Sequence, residues 1–266
     1  ESINAYVNRK KDNELLIFIV VLEEFPFFKK VDAKLKEIFS DFDNLESDYK
    51  NFNFIKMLLS KEHFDFANKP KAILPFHKYS THVATPIEEH LYECAYYSSS
   101  NGSSNLHFTV SETHQKDFEN IINAIKGEIE KETDTKINIS FSYQNKKTDA
   151  ISVDFSNRPF RDASGKLTFR PGGHGALIEN LNNLDADIIF IKNIDNVIQN
   201  HKEINILYKK VLAGILIELQ QQIFNYLNDI EKNKEVDLSE IIALAQESLN
   251  IKFPDGFSKY TLENLH

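Results

Sequence analysis

Residues 169–196 combine glycines, a histidine, an apolar run and a carboxylate in an order that could serve ligand chemistry. Gly172, Gly173 and Gly175 surround His174, and such a stretch is typical of a loop whose backbone comes close to a ligand. A histidine between two glycines is poorly shielded, so its ring could face that ligand. An ordinary strand-to-helix turn with an exposed histidine is the alternative, and the pattern alone does not decide between them.

Asp195 follows the apolar run Ile188–Ile191, which predicts a strand buried on both faces. Mg²⁺ prefers oxygen ligands, so Asp195 is a candidate magnesium ligand, and the neighbouring Asn193 is a candidate for holding it in place. A helix cap is the alternative role for Asp195. Far earlier in the chain, Lys69 and Lys71 could neutralise phosphate charge, and solvated surface lysines are the alternative there.

Strands and helices alternate between about residues 72 and 196, and this alternation would position the candidate residues. A capped helix is predicted from Thr85 and Pro86, and a second helix after a cap at Ser111. The predicted strands are Leu106–Val110, Ile137–Tyr143, Ala150–Phe155, Lys166–Arg170 and the apolar run before Asp195. The pattern indicates a mainly parallel sheet covered by helices, with ligands at the carboxyl ends of its strands. The glycine loop and Asp195 both fall at such ends.

The two ends of the chain are predicted to be helical. Residues 1–66 show helix-like apolar spacing and would pack as about three helices on the core of residues 67–200. Residues 201–266 form a helical extension, in which apolar residues from Ile204 to Ile230 predict one long helix. A second helix is predicted over Leu238–Leu249. The apolar side of the long helix would be core, and the alternative is a homodimer face.

Composition excludes several classes of partner. The formal net charge is −9 and no useful basic run is present, so we expect no nucleic-acid binding. The longest apolar run, Leu15–Leu22, is far shorter than the ~20 residues that span a bilayer, so we expect no membrane insertion. Cys94 is the only cysteine, which fits a reducing compartment and a cytoplasmic location.

Other site chemistries have no support in the sequence. No Gly-x-Ser-x-Gly elbow and no cysteine–histidine pairing is evident. The remaining histidines show no spacing that gathers two of them on one helical face with a carboxylate, so a zinc site is not expected. They are His63, His77, His82, His90, His107, His114, His201 and His266.

Three segments together resemble UDP-sugar pyrophosphorylases: Lys69–Pro75, Pro171–Ala176 and Lys192–Asn196. In those enzymes a Pro-Lys-x-x-x-Pro segment, a Gly-His-Gly loop and an Asn-x-Asp-Asn motif line one nucleotide-sugar site. Over nearly its whole length the chain also resembles the bacterial family DUF4301, an uncharacterised family. The segments that carry this second resemblance are 71–77, 85–91, 106–111 and 170–196.

The resemblance implies an α/β fold of the three-layer, nucleotidyltransferase-like type (Rossmann-like, GT-A), with a mixed sheet and added helices at both ends. It implies Mg²⁺-dependent nucleotidyl transfer from a nucleoside triphosphate to a sugar phosphate. Lys71 and Asp195 would be catalytic, and Asp195 would bind Mg²⁺. The substrate would contact Lys69, Gly172, Gly173, His174, Gly175 and Asn193.

Two other functions stay open: a non-catalytic nucleotide-sugar binding or regulatory protein, and a protein-interaction scaffold. The related enzymes carry a glycine-rich phosphate loop before the Pro-Lys segment, whereas residues 1–68 contain no glycine. The chain begins with Glu1, and the family extends beyond the equivalent of His266. We therefore expect a fragment of a longer protein, which could be inactive by itself.

Overall fold

Helices and short strands make up a mixed α/β fold in the computed structural model of the 266-residue chain. The structure describes residues 12–197, 199–254 and 256–257. These residues form eight α-helices and three small β-sheets. The chain divides into two units, Glu1–Lys202 and Glu203–His266.

Three helices precede the sheets, as the apolar spacing predicts: α1 (Asn13–Val20), α2 (Phe28–Ile38) and α3 (Ser47–Leu59). Residues 1–11 of the predicted helical segment lie outside the described residues. The helices share a hydrophobic core rich in aromatic rings. Its buried members are Leu22, Val31, Leu35, Phe42, Phe54, Met57 and Leu58.

Helix α4 (Pro86–Tyr97) begins where its capping residues predict. The Thr85 hydroxyl accepts a hydrogen bond from the Glu88 backbone N–H at 3.3 Å, and Pro86 occupies the first turn. The Glu88 carboxylate lies 3.2 Å from His82 Nε2.

The central sheet contains β3 (Ser99–Ser100), β4 (Ser103–Thr109) and β5 (Lys136–Ser142). Strands β3 and β4 form an antiparallel hairpin, and β4 pairs with β5 in parallel. Helix α5 (Gln115–Thr133) makes the crossover from β4 to β5, as a parallel pair requires. The strands β4 and β5 and the helix α5 are confirmed. His114 precedes the helix, so the predicted cap at Ser111 is wrong.

The core of this part lies between the sheet and helices α4 and α5. Its buried residues are Ala72, Ile87, Leu91, Cys94, Ala95, Phe108, Phe118, Ile122, Ile129 and Ile137. The apolar periodicities of β4, α5 and β5 therefore meet in one cluster, which is why these elements can be predicted from the sequence.

Two further sheets are short hairpins. Strands β1 (His77–Lys78) and β2 (Val83–Ala84) are antiparallel, as are β6 (Ala150–Ile151) and β7 (Phe169–Arg170). The predicted strands at 150–155 and 166–170 are thus confirmed only over two residues each. The described strands lie in three separate sheets, so the coarse α/β class is confirmed and the three-layer nucleotidyltransferase-like arrangement is not.

The predicted buried strand Ile188–Ile191 is wrong. These residues have no regular secondary structure, and the side chains of Ile189 and Ile191 are exposed. A buried strand needs a neighbour that satisfies its backbone groups, and none of the described strands pairs with this run. Instead, the Phe190 ring packs edge-on against Tyr97 at a centroid distance of 4.9 Å.

After the glycine loop, a turn at His174–Leu177 leads into the short helix α6 (Ile178–Asn182). Helix α7 (Lys202–Glu231) confirms the predicted long helix. Helix α8 (Leu238–Ala243) continues into a π-turn at Leu244–Ser248, which matches the predicted second helix. Among the described helices, none combines the length and apolarity needed to cross a bilayer.

Candidate functional site

Helix α4 buries three polar side chains that the sequence did not single out: Glu89, His90 and Glu93. The side chain of Glu89 is 0% exposed. A buried carboxylate is costly unless hydrogen bonds and a cationic or polar partner compensate for the lost water. Each of these side chains has such partners, and most of them come from the segments that contain or follow the sequence motifs.

Glu89 is bound from the segment that follows Pro75. His77 Nδ1 lies 2.9 Å from both carboxylate oxygens of Glu89, and the Tyr79 hydroxyl donates to the same carboxylate. The backbone N–H of Gln199 donates to the Tyr79 hydroxyl oxygen at 2.9 Å. Burial and the bond to Glu89 raise the pKa of Tyr79 above its ordinary value, so this hydroxyl keeps its proton at neutral pH. The cluster therefore ties residues 77–79 and residue 199 to one buried carboxylate.

Glu93 is bound from the segment that contains the Asn-x-Asp-Asn motif. The Lys192 ammonium forms an ion pair with the Glu93 carboxylate, to which the Tyr97 hydroxyl also donates at 2.8 Å. His90 Nε2 lies 3.1 Å from the Ile194 carbonyl oxygen, which can only accept, so Nε2 carries the proton. Burial, with a smaller contribution from Lys192, lowers the pKa of His90 to about 4. His90 is therefore neutral at pH 7.

Lys71 and Asp195 meet at the surface above these buried bonds. Lys71 begins the short turn Lys71–Ile73, and Asp195 follows Ile194 in a turn of its own. Lys71 Nζ lies 3.0 Å from Asp195 Oδ2, although the two residues are 124 positions apart in the chain. The side chains are 66% and 33% exposed. The Lys71 ammonium lowers the pKa of the Asp195 carboxyl below its ordinary value, so the carboxylate is ionised at neutral pH.

Lys69 and Asn193 flank this ion pair in sequence, and both are exposed. The Asn193 carbonyl oxygen accepts a hydrogen bond from the Asn196 backbone N–H at 3.1 Å, which closes the turn around Asp195. Both side chains are therefore available to a ligand from solvent.

The glycine loop lies beside the carboxyl end of β5. Asn180, just after the loop, donates to the Ser142 hydroxyl and the Tyr143 carbonyl oxygen, both at 2.8 Å. A Cβ atom on Gly172 would lie 2.7 Å from the Thr148 carbonyl oxygen, so this position has no space for a side chain.

The other three members of the loop are open. A Cβ atom on Gly173 or Gly175 would meet nothing within 4 Å, and the His174 side chain is exposed. In the part of the chain that the structure describes, no hydrogen bond or ion pair joins the loop to Lys71 or Asp195. The structure therefore brings together the segments 69–75 and 192–196. It shows no direct bond from the glycine loop to the Lys71–Asp195 ion pair.

The donor set does not by itself make a magnesium site. Among the described residues, no group of three or more histidine, cysteine, aspartate or glutamate side chains could hold a metal ion. Asp195 contributes one carboxylate, and Lys71 already balances its charge. An octahedral Mg²⁺ needs several more oxygen ligands. The other ligands would have to come from substrate phosphates and water.

Sequence reasoning missed the buried polar residues because acidic side chains on a helix usually face solvent. Glu89 and Glu93 are four residues apart, and so lie on one helical face, with His90 beside them. The short-range signal was present, but their partners, His77 and Lys192, come from distant parts of the chain. His77 lies in β1, outside the helices, so no helical spacing could indicate its contact with the Glu89 carboxylate of α4.

Comparison with known proteins gives one family and no individual relative. A family model described as a domain of unknown function (DUF4301) matches residues 1–266. No curated protein and no solved structure matches the chain.

Proposed function

We propose, for a chain that belongs to the DUF4301 family over residues 1–266, that it binds a phosphorylated ligand at the Lys71–Asp195 ion pair and transfers a nucleotidyl group. The observation that carries the proposal is the 3.0 Å contact between Lys71 Nζ and Asp195 Oδ2. It joins the Pro-Lys segment to the Asn-x-Asp-Asn segment, which are two of the three segments that resemble UDP-sugar pyrophosphorylases. A nucleotide-sugar site of that kind requires these two segments to be adjacent.

Both segments are fixed to helix α4, which supports a site with little freedom to rearrange. The His77–Glu89 contact holds the chain just after the Pro-Lys segment. Lys192 and the Ile194 carbonyl oxygen bind Glu93 and His90 on the other side of Asp195. Charge neutralisation by positioned groups is effective because the groups do not reorganise when the substrate reacts.

In the proposed reaction, a sugar-phosphate oxygen attacks the α-phosphorus of a nucleoside triphosphate. A new P–O bond forms while the bond to the bridging oxygen breaks, and pyrophosphate leaves with that electron pair. The Lys71 ammonium would exchange Asp195 for phosphate oxygens and neutralise their charge. Asp195 would supply one carboxylate ligand to a Mg²⁺ ion on the triphosphate, and that ion would help to neutralise the phosphate charge.

The remaining candidates would bind the rest of the substrate. Lys69 and Asn193 flank the ion pair, and the proposal assigns them to phosphate and sugar oxygens. The loop Gly172–Gly175, with His174, would hold the nucleoside or sugar. Its place beside the carboxyl end of β5 supports this assignment, because ligands of parallel sheets bind at those ends. In the same proposal, β4, α5 and β5 are part of a three-layer nucleotidyltransferase-like fold.

The test measures pyrophosphate release from UTP and other nucleoside triphosphates with a panel of sugar phosphates. We expect Lys71→Ala and Asp195→Ala to lower the turnover of the wild-type chain by roughly 100-fold or more. Lys234→Ala is the matched control, since Lys234 lies 2.7 Å from Asp229 in a pair of similar exposure, 57% and 35%. Equal losses in Lys71→Ala and in this control would show that Lys71 has no specific role.

A second measurement separates binding from turnover. A ligand that binds only the folded chain raises the unfolding temperature, by an amount that grows with the ligand concentration. Thermal stabilisation by a nucleotide sugar without pyrophosphate release, lost in Lys71→Ala, would indicate a non-catalytic binding protein. Stabilisation that persists in Lys71→Ala and Asp195→Ala would place the ligand elsewhere.

A further inference from the structure

The face of the β4–β5 pair that points away from helices α4 and α5 carries polar side chains only. Successive residues of a strand lie on opposite faces, and Phe108 and Ile137 belong to the core on the inner face. Parallel strands are usually covered by apolar packing on both faces, so a polar outer face indicates contact with solvent or a polar ligand. The residues of the outer face are Ser103, Asn105, His107 and Thr109 of β4, and Lys136, Asn138, Ser140 and Ser142 of β5.

On this outer face, the His107 ring lies between two serine hydroxyls. His107 Nδ1 is 2.8 Å from Ser140 Oγ, and Nε2 is 2.8 Å from Ser142 Oγ. Burial lowers the pKa of His107 below its ordinary value of 6.5, so the ring is neutral at pH 7. A neutral imidazole has one donor nitrogen and one acceptor nitrogen. His107 can therefore accept a proton from one of the two hydroxyls.

The other contacts of Ser142 indicate that it is the donor. Asn180 Nδ2 donates to the Tyr143 carbonyl oxygen, which can only accept, and it donates to Ser142 Oγ as well, both at 2.8 Å. Thr109 Oγ1 lies 3.2 Å from Ser142 Oγ and can donate to its second lone pair. The Ser142 proton then points to His107 Nε2, and the proton on Nδ1 points to Ser140. A nucleophile, a base and a group that orients the base have this arrangement.

This cluster is accessible and contains no charged side chain. Thr109 and Ser140 are exposed, and Ser142 is half-buried. Among the residues of β4, β5 and α6, all of which the structure describes, two are acidic or basic: Lys136, at the opposite end of β5, and the exposed Glu179 of α6. Phosphate esters are bound by cationic groups, which the cluster lacks. Its hydroxyl, imidazole and amide groups fit an uncharged carboxylic ester.

We propose that Ser142 is the nucleophile, and His107 the base, of a second site that hydrolyses uncharged carboxylic esters. Ser142 Oγ attacks the carbonyl carbon and passes its proton to His107 Nε2, while the carbonyl electron pair moves to the oxygen, where the Asn180 amide can donate. The bond to the alcohol oxygen then breaks, and that oxygen takes the proton from His107. The acyl group stays on Ser142 until water, which gives a proton to the same ring nitrogen, releases the acid and restores the serine. The proposal does not rest on the proposed function, since Lys71 and Asp195 take no part.

The first experiment labels the complete chain with diisopropyl fluorophosphate, which forms a P–O bond to an activated serine as fluoride leaves. Peptide mass spectrometry locates the label. We expect it on Ser142, and we expect none at this position in Ser142→Ala. Ser103→Ala is the matched control, because it removes a hydroxyl from the same outer face at the far end of β4 and should leave the labelling unchanged. Circular dichroism would show that both variants keep the fold. A wild-type chain that is not labelled at Ser142, or is labelled there no faster than at its other serines, would overturn the proposal.

The second experiment measures hydrolysis of p-nitrophenyl acetate as a function of pH. The wild-type rate should rise as His107 loses its proton, at a pH below 6.5, and should stay constant above it. His107→Gln keeps a polar side chain but removes the base, so we expect its rate to fall on the order of 100-fold or more and to lose this pH dependence. A histidine that only stabilises the sheet would change the unfolding temperature and leave the pH profile as it is. Equal rates in wild type and His107→Gln would rule out His107 as the base.

Discussion

Helices α4 and α7 differ in which side chains they bury: α4 buries polar side chains, and α7 exposes apolar ones. The 12-residue α4 buries two glutamates and a histidine, whereas the 30-residue α7 exposes leucine, isoleucine and valine along its length. Both helices follow from local sequence signals, such as the cap at Thr85 and the apolar spacing from Ile204 to Ile230. Local signals thus fix where a helix forms, and only contacts with distant segments fix which of its side chains are covered.

The largest expected effect comes from removing a buried acid of α4. Glu89→Ala should lower the free energy of unfolding by about 3 kcal/mol or more, because His77 and Tyr79 lose the carboxylate that binds them in a buried place. Urea unfolding followed by circular dichroism measures this. Glu128→Ala, at an exposed position of α5, is the control and should change the value by less than about 0.5 kcal/mol. If both variants lose equally little, the buried network does not stabilise α4.

A second test of the contrast uses pH. The pKa of His90 is about 4 in the folded chain, below its ordinary value of 6.5, because the ring is buried. Between these two values the unfolded chain takes up a proton that the folded chain does not. Stability from this group is therefore complete above pH 6.5 and is lost as the pH falls towards 4, by about 3 kcal/mol in total.

The measurement is urea unfolding of wild type and His90→Gln at several pH values between 7 and 4. The glutamine can still donate to the Ile194 carbonyl oxygen but does not titrate. Over this range, we expect the free energy of unfolding of His90→Gln to fall by about 3 kcal/mol less than that of wild type. Parallel curves for the two proteins would show that His90 titrates normally in the folded chain.

Much of the fold could be predicted because its signals are local. The strands β4 and β5 and the helix α5 alternate or repeat their apolar residues with the right period, and their partners are close in sequence. The strand predicted at Ile188–Ile191 is wrong because an apolar run does not specify which neighbouring strand would pair with it. Its residues lie in an irregular segment, with Phe190 against Tyr97.

The Lys71–Asp195 part of the candidate site was predicted from a family resemblance and not from local periodicity. The resemblance to a known family placed Lys71 and Asp195 in one site, and the structure brings these two side chains into contact. Composition and periodicity alone could not do this across 124 residues. The buried partners Glu89, His90 and Glu93 were missed because helical periodicity assigns acids to the solvent face. Their burial depends on His77 and Lys192, which no local pattern connects to α4.

A smaller effect is expected at the glycine loop. Gly172→Ala should cost about 1–3 kcal/mol of stability, because the new Cβ atom would lie 2.7 Å from the Thr148 carbonyl oxygen and the backbone must shift. Gly173→Ala is the matched control next to it, where a Cβ atom meets nothing within 4 Å. Thermal unfolding of the two variants compares them directly. A cost at Gly173 as large as that at Gly172 would contradict the close approach of the loop to residues 144–149.

The smallest change in stability is expected for a substitution on α7, whose apolar side chains are exposed where α4 buries polar ones. Ile217 is exposed, on the opposite side of the helix from Ile215. Ile217→Ala removes apolar atoms that water already reaches, and alanine favours a helix, so the stability of the chain should change by less than about 0.5 kcal/mol. Urea unfolding at a protein concentration that keeps the chain monomeric measures this. A loss of several kcal/mol would mean that Ile217 is covered in the folded chain, and the contrast with α4 would not hold at this position.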